Sequence, residues 1–160
     1  MDRLWAPWRM RYVAAATARP VCIFCEALAA GDDRRTLVLH RGKRAFLILN
    51  AYPYASGHLM AAINRHTGLL EHATPEELTE VMQLAQSGIR ALGATYRPDG
   101  FNVGVNQGRV AGAGVPDHLH LHVVPRWDGD TSFMTVIGET KVLPETLETT
   151  YDRLIAALAS

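Results

Sequence analysis

The sequence predicts an α+β fold, a mainly antiparallel five-stranded sheet carrying two main helices. Three observations lead there. Short extended segments outnumber helical ones, and the early ones follow each other at hairpin-like spacings. Two segments carry apolar stripes of helical period. The chain of 160 residues is 48% hydrophobic, long enough to bury a core without disulfides, and is read as one domain, 1–160.

Taken in order, residues 1–20 form an N-terminal arm holding Trp5, Trp8 and Tyr12. The arm is too short to hold a core of its own, so its aromatics are expected to cover a neighbouring surface, such as a second subunit. Residues 36–39, 45–49, 58–63 and 101–105 read as four strands, and the ladder that begins at His118 reads as the fifth. Pro125 ends that ladder, because proline has no N–H to donate. The first helix starts at Thr74, whose hydroxyl can cap free N–H groups, with Pro75 at the first position and Glu77 closing a capping box. Leu78, Val81, Met82, Ala85, Ile89 and Leu92 form its stripe, and Gly93 offers a stop. Leu84 and Met82 leave apolar area to one side of that stripe, which a partner could cover. Pro144 opens the second helix, with Leu147, Tyr151, Leu154, Ile155 and Leu158 on one face.

The chemistry gathers in His118-Leu119-His120-Leu121-His122-Val123-Val124. In an extended strand alternate side chains share a face, so the three imidazoles line up at steps of about 7 Å while the aliphatics face a core. A polar sheet face, a hydrolase with three His ligands on a metal, and nucleophilic catalysis by one imidazole are the competing readings. Just upstream lies Asn106-Gln107-Gly108-Arg109-Val110-Ala111-Gly112-Ala113-Gly114. Its small residues let backbone N–H groups approach an anion, which suits phosphoryl or nucleotidyl transfer beside a nucleophile.

Cys22 and Cys25 are spaced C-x-x-C, a metal knuckle or a redox pair in a reducing compartment; a tetrahedral zinc site would need two further ligands. Sixteen basic and sixteen acidic residues cancel, which argues against polymeric nucleic acid and leaves small nucleotides open. The absence of an 18-residue apolar run argues against a membrane span, and the absence of an apolar stretch near the start makes a cytoplasmic enzyme the default. His40 and His72 fall outside any motif and are expected at the surface.

Residues 101–127, with H-x-H-x-H-x-x at their centre, resemble the histidine triad (HIT) family of nucleotide hydrolases and transferases. Residues 48–60, a strand, a turn ending in Gly57-His58 and another strand, resemble the family's second hallmark. Residues 4–10 and the Cys22-Ile23-Phe24-Cys25 motif resemble a bacterial, Fhit-like branch that includes diadenosine tetraphosphate phosphorylases. The resemblance implies a HIT-like sheet continued across a homodimer, with Trp5 and Trp8 reaching toward the partner's nucleotide pocket. It also implies that His120 attacks the α-phosphorus of a nucleoside polyphosphate and forms a nucleotidyl-imidazole. His122 and the N–H groups of Gly112, Ala113 and Gly114 would then offset charge on the phosphate oxygens, with His58 as a partner near the nucleophile.

By the same resemblance Asn50 contacts the nucleotide and Asn106 lies near phosphate, or Gln107 if the correspondence shifts by one. Cys22, Cys25, His66 and His118 would hold a structural zinc ion, His118 also orienting the site. Water or phosphate could release the intermediate. Ala113-Gly114 stands where the phosphorylase branch can carry Gly-Ser, which weakens the phosphorylase reading. A third His in place of a transferase Gln favours Fhit-like or Hint-like chemistry. The alternatives are a Hint-like nucleoside phosphoramidase and a non-catalytic nucleotide-binding regulator. The intact triad speaks against the latter.

Overall fold

A computed structural model describes residues 21–130 and 143–159, so the predicted arm 1–20 lies outside the described residues. Its elements are α1 (Ile23–Ala30), α2 (Asp33–Thr36), β1 (Val38–Arg41), β2 (Ala45–Leu49), β3 (Leu59–Ile63), α3 (Pro75–Tyr96), β4 (Gly100–Val105), β5 (His120–Arg126) and α4 (Leu147–Ala159). Short 3-10 turns sit at Leu70–His72 and Arg109–Ala111. The five strands form one antiparallel sheet, as the sequence predicts, and their order is β1-β2-β3-β5-β4.

Alternation along the central strands divides the molecule into two packed layers. Leu47 and Leu49 of β2, Leu59, Ala61 and Ile63 of β3, and Leu121 and Val123 of β5 join Leu119 in one core under α3 and α4. Phe46, Ile48, Met60 and Ala62 face the other way, onto Phe24 and Ala27 of α1. The histidines of β5 therefore share their sheet face with α1, opposite the two long helices.

Helix α3 begins with the predicted capping box: Thr74 Oγ1 accepts from the Glu77 N–H at 3.3 Å, and the Glu77 carboxylate accepts from the Thr74 N–H at 2.8 Å. Glu77 is also held by Arg65 at 2.9 Å, and that hydrogen bond is the main cause holding its carboxyl below the usual range. The buried face is Val81, Leu84, Ala85, Gly88, Ala91 and Leu92, while Met82 is 49% exposed. Leu84 thus belongs to the core rather than to a spare apolar patch, because positions 81, 84, 88 and 91 follow the 3.6-residue period more closely than the predicted stripe. The helix runs through Gly93 to Tyr96 and stops where Arg97 takes a left-handed conformation at φ 48. Gly88 lets α3 lie close on the sheet, since a Cβ there would sit 2.8 Å from Leu59 Cδ1.

Several elements differ from the sequence reading. The expected strand at 36–39 begins two residues later, because Thr36 ends α2 and Leu37 turns the chain at φ 63. Helices α1 and α2 were not expected, although Glu26-Ala27-Leu28-Ala29-Ala30 before a left-handed Gly31 is a helix-forming run with a glycine stop. Strand β5 continues through Pro125 to Arg126. Strand β3 begins at Leu59, opposite Val123, so past Val123 the pairing of β5 with β3 is over before the proline is reached. Helix α4 starts at Leu147 rather than at Pro144, with Thr146 Oγ1 accepting from the Thr149 N–H at 3.3 Å.

Among the described residues no helix is long and apolar enough to cross a membrane. The close approach at Gly88 predicts that Gly88→Val forces α3 off Leu47 and Leu59 and destabilises the fold by about 1–3 kcal/mol. The check is the midpoint of chemical denaturation, which should fall while the slope stays constant.

Candidate active site

Each imidazole of the triad is gripped by a different partner, and the partners fix where its proton sits. His118, one step before β5, donates from Nε2 to the carbonyl of Ile63 at the end of β3, at 2.7 Å. Its Nδ1 therefore carries the lone pair, and it faces Cys22 Sγ at 3.3 Å and Cys25 Sγ at 3.6 Å. His120 donates from Nδ1 to the His118 carbonyl at 2.7 Å, which leaves the lone pair on Nε2. His58 Nδ1 accepts from the Tyr54 N–H at 3.1 Å, so its proton sits on Nε2 and is given to His122 Nδ1 at 2.9 Å. His122 in turn holds its proton on Nε2.

Burial reinforces these assignments. His58, His118 and His120 are buried. Loss of hydration pushes His120 below the ordinary histidine pKa, against the opposing pull of its bond to the His118 carbonyl. The same burial lowers His118, with the Ile63 carbonyl opposing and His66 and His120 adding to the shift. Both rings are neutral near pH 7 for that reason.

Two aromatic side chains hold the histidines from either end. The Phe24 ring lies 5.0 Å from that of His118 and 4.9 Å from that of His120. The Tyr54 ring lies 4.6 Å from that of His58 and stacks on that of His122 at 6.1 Å. Neither residue was singled out from the sequence. The signals were Phe24 lying between the two cysteines and Tyr54 lying in the turn before Gly57-His58. That turn needs Gly57, whose φ is 79 and where a Cβ would meet Leu92 Cδ2 at 2.5 Å.

The triad stands between two hollows. One of about 630 Å³ is lined by Phe24, Ile48, Asn50, Met60, Val115 and His120 among others, and is largely apolar. The other, about 440 Å³, has a mixed lining, with Asn102, Asn106, His122 and Arg126 beside Ala55, Val103 and Val124. Arg126 is committed there to Asp130 and, at 2.7 Å, to Asn102. Neighbouring histidines of one strand thus face different hollows, so a substrate reaching from one to the other passes both rings.

The structure brings most of the predicted residues together. His58, His118, His120, His122 and Asn50 form one cluster, and Asn106 lines the second hollow. Gln107 is turned away, accepting from the Leu70 N–H at 2.7 Å and donating to Glu71 at 3.0 Å. The glycine loop departs from expectation. The Gly112 N–H bonds the Arg109 carbonyl at 3.0 Å and the Ala113 N–H bonds the Gly108 carbonyl at 3.2 Å. Those two donors close the loop on itself, so of the three expected phosphate donors Gly114 alone is left without such a loop bond. His40 and His72 are exposed, as expected.

Cys22, Cys25, His66 and His118 converge, with one donor atom from each lying within 4.8 Å of the others. His66 Nδ1 is 3.4 Å from Cys25 Sγ. Tetrahedral zinc with ordinary Zn–S and Zn–N bonds separates sulfur from nitrogen by about 3.6 Å, so these four donors fit such an ion. The Ile63 carbonyl, by taking the Nε2 proton of His118, aims that residue's Nδ1 lone pair at the sulfurs, a second-layer bond typical of metal-ligating histidine.

Comparison with known proteins agrees with this geometry. The HIT domain matches residues 33–129. The chain is 44% identical to the AP-4-A phosphorylase of Mycobacterium tuberculosis, over 98% of this chain and 83% of that protein. It is 30% identical to the adenosine 5'-monophosphoramidase of Saccharomyces cerevisiae, over 72% of this chain and 68% of that one. A Zn-bound histidine triad family protein from Mycobacterium smegmatis superposes with a TM-score of 0.70 at 29% identity, covering 90% of this chain and 95% of the other. The domain match, the relatives and the five-stranded fold with its H-x-H-x-H strand together place the chain in the histidine triad family.

Proposed function

We propose that the protein is an enzyme that cleaves a dinucleoside polyphosphate, diadenosine tetraphosphate or a close analogue, at an α-phosphate through a nucleotidyl-His120 intermediate. The observation that carries this reading is the unprotonated Nε2 of His120, on the border of an apolar hollow, next to a His122 whose proton sits on Nε2. The apolar hollow suits a nucleoside, the second, with Asn106 and His122 on its wall, suits the rest of a polyphosphate, and the phosphorus to be attacked lies between them.

In the first step the Nε2 lone pair of His120 forms a bond to the α-phosphorus, and the phosphorus–oxygen bond to the departing nucleotide breaks. The electron pair leaves with the nucleotide, which is stable as an anion and needs no proton. His120 keeps its Nδ1 proton on the His118 carbonyl, and that hydrogen bond stabilises the positive charge the ring gains. His122 donates to a non-bridging oxygen as charge builds there. In the second step an acceptor oxygen attacks phosphorus, the nitrogen–phosphorus bond breaks, and neutral His120 returns. Similarity to an AP-4-A phosphorylase over nearly the whole chain supports inorganic phosphate as that acceptor.

Two further parts belong to the same proposal. Cys22, Cys25, His66 and His118 would hold a zinc ion whose contribution is structural, tying α1 to the start of β5. The chain is read as a single HIT domain with an N-terminal arm, acting as a homodimer whose sheet continues across β4. That strand is an edge of the sheet, and its Val103 is 45% exposed.

Incubation with diadenosine tetraphosphate, with and without phosphate, tests the chemistry by product mass. ADP together with ATP, formed only with phosphate, is the expected outcome; AMP together with ATP would make the enzyme a hydrolase, and no cleavage would refute the reading. His120→Asn should lower turnover by at least about a thousandfold while nucleotide binding and folding persist, because the lost step is covalent. Near-normal turnover in that variant would remove His120 from the centre of the mechanism.

The metal is tested separately. Elemental analysis should find one zinc per chain, and chelation should lower the melting temperature more than it lowers the activity of the fraction still folded. Chelation that leaves the melting temperature unchanged would reduce the four residues to a coincidental cluster.

A further inference from the structure

The amide of Asn50 is anchored at both ends. Its Oδ1 accepts from the Tyr52 N–H at 2.9 Å, and this bond sets which end of the amide points inward. Its Nδ2 then faces His58 Nδ1 at 3.3 Å, the same atom that the Tyr54 N–H reaches at 3.1 Å. Two donors meeting at one ring nitrogen exclude a proton from it. His58 is wholly buried and Asn50 is 7% exposed, so solvent does not offer His58 another partner as readily as at a surface.

We propose that Asn50 is a positioning residue that, through His58, holds the proton of His122 on Nε2, where the reacting phosphate can use it. The inference rests on the nucleotidyl-transfer reading of the site. It gives Asn50 a role beyond touching the nucleotide, which its place on the wall of the apolar hollow also permits. The relay has three links: Asn50 Nδ2–H to His58 Nδ1, His58 Nε2–H to His122 Nδ1, and His122 Nε2–H to the substrate oxygen. Each donor requires the next ring to accept, so a change of sign at the first link reverses the others. With a carboxylate at position 50 the first link has no N–H to give. Its oxygen would face the His58 lone pair, and the contact becomes favourable once the single His58 proton moves to Nδ1, where a charge-assisted bond to the carboxylate outweighs the loss of the neutral bond from the Tyr54 N–H. His58 Nε2 then accepts from His122 Nδ1, and His122 Nε2 presents a lone pair to an anionic oxygen.

The test is Asn50→Asp, nearly identical in shape, with nitrogen-15 NMR of the imidazoles in the substrate-free protein above neutral pH. In the parent protein His58 Nδ1 should be unprotonated and His122 Nε2 protonated. In Asn50→Asp the proton should appear on His58 Nδ1. The kcat should fall about 10²-fold, the usual cost of losing one donor to a developing anion, with KM changed less than about threefold. Asn50→Ser serves as the second variant. It keeps an acceptor for the Tyr52 N–H but removes the Nδ2 donor, and kcat should fall about fivefold, as for one neutral hydrogen bond.

A bare His58 Nδ1 in Asn50→Asp would overturn the relay. So would a loss confined to KM in both variants, which would make Asn50 a nucleotide contact only, and so would a moved proton with unchanged kcat. The NMR readings need no substrate, so they distinguish failure of the relay from failure of the proposed reaction.

Discussion

The site depends on two backbone carbonyls that take imidazole protons. The carbonyl of His118 holds the Nδ1 proton of His120, and the carbonyl of Ile63 holds the Nε2 proton of His118, both at 2.7 Å. A neutral imidazole has one proton and two nitrogens, so fixing the proton fixes which nitrogen can act. A carbonyl is a suitable clamp because it accepts and cannot donate, so it admits one tautomer only. The clamps exist because β3 and β5 are paired and because the chain enters β5 through an extended segment, with the Leu119 N–H held by the Thr67 carbonyl at 2.7 Å. A slip of one residue in that pairing would send the imidazoles into the helix-side core and the leucines into the site.

His118 joins two parts of the molecule. Its side chain belongs to the cysteine cluster at the start of α1, while its carbonyl belongs to His120. Phe24, between the two cysteines, packs on both rings, so α1 supports the triad through an apolar contact as well as through sulfur. On the other side Tyr54 and His58 do the same for His122. The face of the sheet that carries the chemistry is thus enclosed by aromatic and sulfur-bearing side chains, while the opposite face packs a mainly aliphatic core under α3 and α4.

The sheet and its polarity were readable because a period of two leaves a clear trace: three histidines alternating with Leu119, Leu121 and Val123 assign both faces of β5 from the sequence alone. The start of α3 was equally readable, since Thr74, Pro75 and Glu77 each satisfy a local need of a helix end. Other features depended on partners distant in sequence. Helix α1 is only eight residues long, too short to show a helical period, although its Glu26-to-Ala30 run and Gly31 stop are helix signals that the strand-dominated reading passed over. The strand at 36–39 was displaced because Leu37 adopts a positive φ that its residue type does not announce. In the glycine loop, composition alone did not announce the two internal bonds that Gly112 and Ala113 make. Half of the cysteine–histidine cluster was visible in the sequence as a C-x-x-C pair, but its two histidines came from family resemblance, because His66 and His118 lie 41 and 93 residues from Cys25.

The account makes His120 a covalent participant rather than a general base or a metal ligand, and trapping tests that most directly. The enzyme would be mixed with diadenosine tetraphosphate in the absence of phosphate, quenched within milliseconds into alkaline denaturant, digested and read by mass spectrometry. The account predicts one nucleoside monophosphate on the peptide that spans β5, fragmenting to a phosphoramidate on His120 and lost when phosphate is added before the quench. An adduct on His118 or His122, or turnover with no adduct under conditions that preserve a phosphoramidate, would contradict it.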